Sequence, residues 1–257
     1  MSLKSVTIGP VALTIGTPKI GVTLTGQTRA QLLGQAAQVL TSAAQVVEWR
    51  LDQYTELDNR AELVNTAAQL RQVLGTIPVL ATLRLPAAGG KLTIDAATYY
   101  QTYLTLVNNR AIDALDIDLT MVNASEFMPL TQQMRQYHIP LVLSRTYLTT
   151  MPTVGDLVKD YQALAAAGAD IARLTAPTQS ELDTLTLMTA TAQARTQLTL
   201  PLIATAVGTL GRYAGVCGQL MGSSLTLGAV GRATAPGQLP VSRLKQTLQT
   251  LTPATGA

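Results

Sequence analysis

Short runs of β-favouring residues recur along this chain at intervals of roughly 25–35 residues, with an amphipathic segment of helical period between each pair. The runs fall at 20–24, 46–51, 79–83, 114–118, 140–144, 171–175, 201–204 and 224–228. The intervening segments predict helices over 28–44, 60–74, 96–109, 125–137, 153–167, 179–193, 213–221 and 241–251. Leu63, Leu70 and Leu74 lie on one face of the second, and Pro240 stands at the start of the last, where a missing N–H costs nothing. Strands alternating with helices call for a parallel sheet covered by helices. Eight such units in 257 residues match the (β/α)₈ TIM barrel, which typically needs about 250. A doubly wound sheet is the competitor, but no Gly-x-Gly-x-x-Gly follows the first strand. The segment before Pro18 is read as a short β-hairpin closing one end of the barrel, and residues 1–257 as one domain without a linker.

Composition sets the class of partner. With 47% hydrophobic and 13% charged residues the chain can bury a core, and a single Phe and a single Trp make that core aliphatic. A net charge of +3 without any Lys/Arg run gives no support for a nucleic-acid surface. No apolar stretch reaches the roughly 18 residues of a membrane helix, and no signal-peptide pattern opens the chain, so no membrane partner is expected. One cysteine, Cys217, excludes an intramolecular disulfide and suits a reducing cytoplasm. Its Ala/Gly-rich surroundings read as helix, with the thiol as a small buried packing group.

Barrel strands are covered on both faces and should be nearly continuous aliphatics. The second strand instead reads Val46-Val47-Glu48-Trp49-Arg50-Leu51-Asp52. Residues two apart share a face, so Glu48, Arg50 and Asp52 point together, into the barrel mouth if the outer face is covered by helices. Buried charges need partners, and the plain structural account has Glu48 and Arg50 neutralise each other or nearby charges, with Arg173 also able to pair with Glu48. Arg84 ends the third strand and adds a cation at the same rim, which favours a site for a small anionic, hydroxyl-rich ligand. Asp116 and Asp118 share a face of the fourth strand. Without histidines or further acids at matching strand ends, they read as partners for inward arginines, and no metal or other cofactor is expected. His138 precedes the fifth strand, at the end of the barrel opposite the chemistry. Gly89-Gly90 reads as a flexible turn. The stretch Thr234-Ala235-Pro236-Gly237-Gln238 reads as a loop over the mouth.

Taken in order, these segments resemble the type I 3-dehydroquinate dehydratases, lyases of the shikimate pathway of aromatic amino acid biosynthesis built on a (β/α)₈ barrel. The resemblance runs from Pro18-Lys19-Ile20 through Glu48-Trp49-Arg50-Leu51-Asp52, Arg84, Gly89-Gly90, Gly168-Ala169-Asp170-Ile171, Gly222-Ser223 and Gly228-Ala229-Val230 to Ala235-Pro236-Gly237-Gln238. It implies that Glu48, Arg50 and Arg84 contact the substrate's hydroxyl and carbonyl region and that Gln238 hydrogen-bonds it from above, with Thr234 replacing a loop serine.

The chemical positions depart from the pattern. Family members attack the ketone with a lysine to form an imine and move protons with a histidine. Arg173 stands at the lysine position and Thr146 at the histidine position. A guanidinium stays protonated and is a poor nucleophile, and a threonine hydroxyl is no acid–base catalyst near neutrality. Of the five lysines (Lys4, Lys19, Lys91, Lys159 and Lys245), Lys91 alone is expected near the mouth. The carboxylate-clamping arginine of the family aligns with Gly215, with Arg212 one turn earlier as a substitute, and Ala88 replaces a glutamate.

Three readings follow. In the first, the protein is a catalytically silent relative binding a shikimate- or quinate-type cyclic hydroxy acid through Glu48, Arg50, Arg84, Arg173, Thr234 and Gln238. In the second, it is a lyase or isomerase working without an imine, with Glu48 as base, although nearby arginines should depress that carboxyl. In the third, the polar mouth is a structural ion cluster, filled by direct Glu48–Arg173 pairing with no room for a ligand, and the protein is non-catalytic and acts through a surface, with homodimer formation left open.

Overall fold

The computed structural model describes residues 4–252. Strands β1 (Val6–Ile8) and β2 (Val11–Leu13) pair antiparallel. Eight parallel strands follow, each covered by helix: β3 (Lys19–Leu24), β4 (Val46–Arg50), β5 (Val79–Thr82), β6 (Ala114–Asp118), β7 (Leu141–Thr146), β8 (Ile171–Pro177), β9 (Leu202–Val207) and β10 (Leu225–Gly228). They hydrogen-bond in the order β10-β3-β4-β5-β6-β7-β8-β9. Between β9 and β10 the ring closes through a single parallel bridge, Leu202 to Ser223, reinforced by the Ser223 hydroxyl accepting from the Ala204 N–H at 3.1 Å. This is the expected (β/α)₈ barrel.

The outer ring contains α1 (Arg29–Leu40), α2 (Arg60–Leu74), α3 (Ala96–Asn108), α4 (Phe127–Gln136), α5 (Val154–Ala166), α6 (Glu181–Gln197), α7 (Gly211–Val216), α8 (Gly218–Met221) and α9 (Val241–Leu251). Local chemistry starts several of them. Thr28, Asn59, Asp95 and Thr153 each accept a first-turn N–H, and Ser180 with Asp183 closes a capping box. Leu63, Leu70 and Leu74 are buried along α2. The helix expected over 213–221 is broken: α7 ends at Val216, and α8 starts at Gly218. Gly218 lies so close to the Pro18 ring that a Cβ there would meet Pro18 Cγ at 2.8 Å, and glycines at 215 and 218 weaken a continuous helix. Cys217 therefore sits in the break, half-buried rather than buried.

Side chains inside the barrel stack in layers. Next to the N-terminal ends of the strands, Val46, Leu80, Val142, Ile171, Ile203 and Leu225 form an aliphatic layer capped by Ile8 and Leu13 of the hairpin. The hairpin plugs that end, and a cavity lies at the C-terminal ends of the strands. Outward residues such as Val47 and Trp49 are buried against the helices.

Candidate active site

The layer above the aliphatic one is polar. Glu48, Asp116 and Arg173 come from β4, β6 and β8, alternate staves of the barrel, whose inward side chains meet in one layer. Arg173 Nη1 donates to Glu48 Oε1 at 2.5 Å and to Asp116 Oδ2 at 3.0 Å, and Arg173 is only 1% exposed. The Thr82 hydroxyl donates to Glu48 Oε1 at 3.1 Å and the Thr23 hydroxyl to Oε2 at 2.9 Å. Arg84 stands 3.9 Å from Glu48 Oε1. Of the pairings open to Glu48, the one with Arg173 forms and the one with Arg50 does not: Arg50 binds Asp52 side-on, Nε to Oδ1 at 2.7 Å and Nη2 to Oδ2 at 2.8 Å. Asp52 belongs to a single 3₁₀ turn after β4, so its carboxylate curls back to Arg50 and leaves Glu48 to the barrel centre.

Electrostatics sorts these groups. Burial alone would raise the Glu48 pKa, but Arg173, Arg84 and Arg50 outweigh it and hold the carboxyl well below the usual range. Burial works against the Arg173 charge as well, yet Glu48 and Asp116 keep it protonated. Asp116 is pushed up by burial, against the pull of Arg173. Burial also lowers Arg84, beside the like charges of Arg173 and Arg50.

Above the cluster lies a cavity of about 210 Å³ at the open end of the barrel. Glu48, Arg50, Arg84, Arg173, Thr234 and Gln238 all line it, as do Thr146 and Ala88. It is smaller than the roughly 300–1,000 Å³ of drug-sized sites and suits a single ring. In the 234–238 loop, Gln238 Oε1 accepts from the N–H and hydroxyl of Thr234 and from the Ala235 N–H, leaving its amide N–H groups as donors.

Other sequence expectations resolve differently. Asp118 stays out of the cluster: its Oδ1 accepts from the Thr120 N–H and hydroxyl and caps the turn after β6. Gly89-Gly90 is a tight turn, not a flexible one. Gly89 has φ +84°, and a Cβ on Gly90 would collide with the Arg84 carbonyl. Arg212 is exposed, donates Nε to the Thr209 carbonyl at 2.9 Å, and with Gly215 lines a neighbouring crevice instead of the mouth cavity. Lys91 is exposed, and among the described residues no lysine lines the cavity. His138 is exposed at the plugged end, with φ +57°.

Two supports carry no signal in the sequence. Tyr103 of α3 donates to the Asp116 carbonyl at 2.5 Å and accepts from the Leu83 N–H at 2.8 Å, pinning the chain ends that carry Asp116 and Arg84. Tyr147, a cavity residue, donates to Asp160 Oδ2 at 2.6 Å, which fixes its ring beneath Arg145. Both look like ordinary packing tyrosines in sequence, because only the fold turns them towards partners on the neighbouring elements.

A family model described as Type I 3-dehydroquinase matches residues 20–254. The chain belongs to the type I 3-dehydroquinase family. It is 32% identical to the 3-dehydroquinate dehydratase of Lactiplantibacillus plantarum over 234 residues, 91% of this chain and 92% of that protein. It is likewise 32% identical to the Enterococcus faecalis enzyme, over 96% of this chain and 98% of that one. The 3-dehydroquinate dehydratase structure from Geobacillus kaustophilus superposes with a TM-score of 0.92 at 29% identity, covering 97% of each chain. The type I enzyme from Clostridium difficile, solved with covalent modified comenic acid, gives 0.91 at 25% identity, covering 97% of this chain and 98% of that one. This family member thus keeps a polar barrel mouth, with Arg173 at its floor.

Proposed function

We propose that this type I 3-dehydroquinase relative binds a small cyclic hydroxy acid of the shikimate or quinate type in its barrel mouth and does not dehydrate it through an imine. The observation that carries this reading is the floor of the cavity: a buried arginine paired with two carboxylates stands there, at the position that the resemblance gives to the nucleophilic lysine, and among the described residues no lysine lines the cavity. Imine formation needs a neutral primary amine, which a guanidinium held protonated by two carboxylates does not offer. The binding groups remain together around the cavity: Arg50, Arg84 and Arg173 for an anion, Gln238 and Thr234 for hydroxyls. The curated relatives named 3-dehydroquinate dehydratase support the ligand class.

A non-imine lyase or isomerase using Glu48 as base is disfavoured, since a carboxylate held so far below its usual range takes up a proton poorly at neutral pH. A purely structural ion cluster is disfavoured by the open cavity above the Glu48–Arg173 pair.

Calorimetric titration with 3-dehydroquinate tests the reading, together with absorbance of the conjugated product and mass spectrometry after borohydride reduction. Saturable heat without product or adduct is expected. A reduced covalent adduct, or steady product formation, would sink it.

A further inference from the structure

Arg50 shows how this cavity holds a carboxylate: its Nε and Nη2 form one edge of the guanidinium, and both donate to Asp52. On Arg173 the same edge is free. Nη1 serves Glu48 and Asp116, whereas Nε and Nη2 are buried with no partner among the described residues. The Thr175 hydroxyl, two residues along β8 and also lining the cavity, is buried and unpartnered among the described residues as well. Arg84, on the cavity wall, has Glu48 only at ion-pair distance, 3.9 Å away. Native proteins rarely leave buried donors unmatched, and these belong to neighbouring residues around one cavity.

The wall formed by β9, β10 and the 234–238 loop has another character. It adjoins β8, with Thr205 the sheet partner of Thr175, and its cavity residues, which include Thr205, Val207, Leu227, Thr234 and Gln238, carry no charge. Gly215 and Arg212 stand outside the cavity, and the Arg212 Nε is committed to the Thr209 carbonyl. The available groups at this rim are the Gln238 amide N–H donors, which suit neutral hydroxyls.

We infer that the carboxylate of the ligand docks at the cavity floor, side-on to Arg173 and beside Thr175 and Arg84, and that its hydroxylated end faces Gln238 at the rim. This orientation rests on the reading of the mouth as a hydroxy-acid site. A ring acid needs no ketone to be held this way, because the floor group recognises an anion instead of a carbonyl. Both Glu48 oxygens are meanwhile occupied by Arg173, Thr82 and Thr23.

The test compares quinate, which lacks a ketone, with its neutral carboxamide, by calorimetric titration of the full chain and two variants. Two charge-assisted bonds lead to an expected preference for the acid on the order of a hundredfold. Thr175→Val removes a hydroxyl with no partner among the described residues, so the fold should survive, and the preference should fall about tenfold. Gln238→Leu should weaken acid and amide alike and leave their ratio unchanged. If Thr175→Val leaves the ratio within about twofold of the parent while Gln238→Leu collapses it, the orientation is overturned and the carboxylate belongs at the rim. If neither probe saturates the parent protein, the hydroxy-acid reading falls, and the orientation with it.

Discussion

The two successive layers inside this barrel use the same eight staves for opposite ends. The lower one, with Leu80, Val142 and Ile203 under the hairpin plug, is aliphatic and without polar groups to satisfy. The upper one holds Glu48, Asp116 and Arg173, all at least 97% buried. Each charge there survives burial only because the others are present. The lower layer stabilises by area removed from water, a diffuse effect that tolerates substitution of similar volume. The upper layer depends on specific partners and leaves donors unmatched beside a cavity, an arrangement that serves a ligand better than it serves stability.

The contrast is broken most severely by Glu48→Leu. It strips Arg173 of its closest counter-ion, and urea unfolding should show a loss of about 3–5 kcal/mol. A loss below about 1 kcal/mol would mean that Asp116 alone suffices and that the layer is not an interdependent cluster. Leu80→Ala in the lower layer should cost about 2–4 kcal/mol through its cavity, with ring-acid affinity unchanged. A large affinity loss there would show that the two layers are coupled.

Acid provides a gentler probe. The Glu48 pKa is depressed in the fold, so the stability it contributes is present above the unfolded carboxyl value of about 4.3 and is lost as pH falls towards the depressed value. Melting temperature should drop between about pH 4.5 and 2.5 in the parent and drop less in Glu48→Leu. Equal drops would assign acid sensitivity to other carboxylates. The smallest effect is expected from Thr175→Val: with no hydrogen bond to lose among the described residues, stability should stay the same or rise by up to about 1 kcal/mol. A clear loss would reveal a partner for that hydroxyl.

Much of the site was legible because period-two strands expose their faces in sequence. Glu48 and Arg50 inside, Val47 and Trp49 outside, required only the alternation of Val46–Arg50 and the cover of helices. The Glu48–Arg50 pairing that did not form and the misplaced Asp118 have a common origin. Alternation says which face a residue occupies, but not whether the strand continues or ends in a turn, and both Asp52 and Asp118 were captured by turns. The break at Cys217 was hidden for a similar reason, since the close approach of Gly218 to Pro18 joins segments far apart in the chain.

By itself the sequence determined the eight-unit barrel and the inward face that carries the charges, because each depends on residue type and local period; the arginine at the family's lysine position in the sixth barrel strand is what the resemblance implies. Only the tertiary structure decided, between Arg50 and Arg173, that Arg173 answers Glu48 across 125 residues of chain, and that one edge of it is left facing no partner among the described residues. Closing a barrel brings alternate staves into one layer, and that proximity is a property of the ring, absent from any single strand.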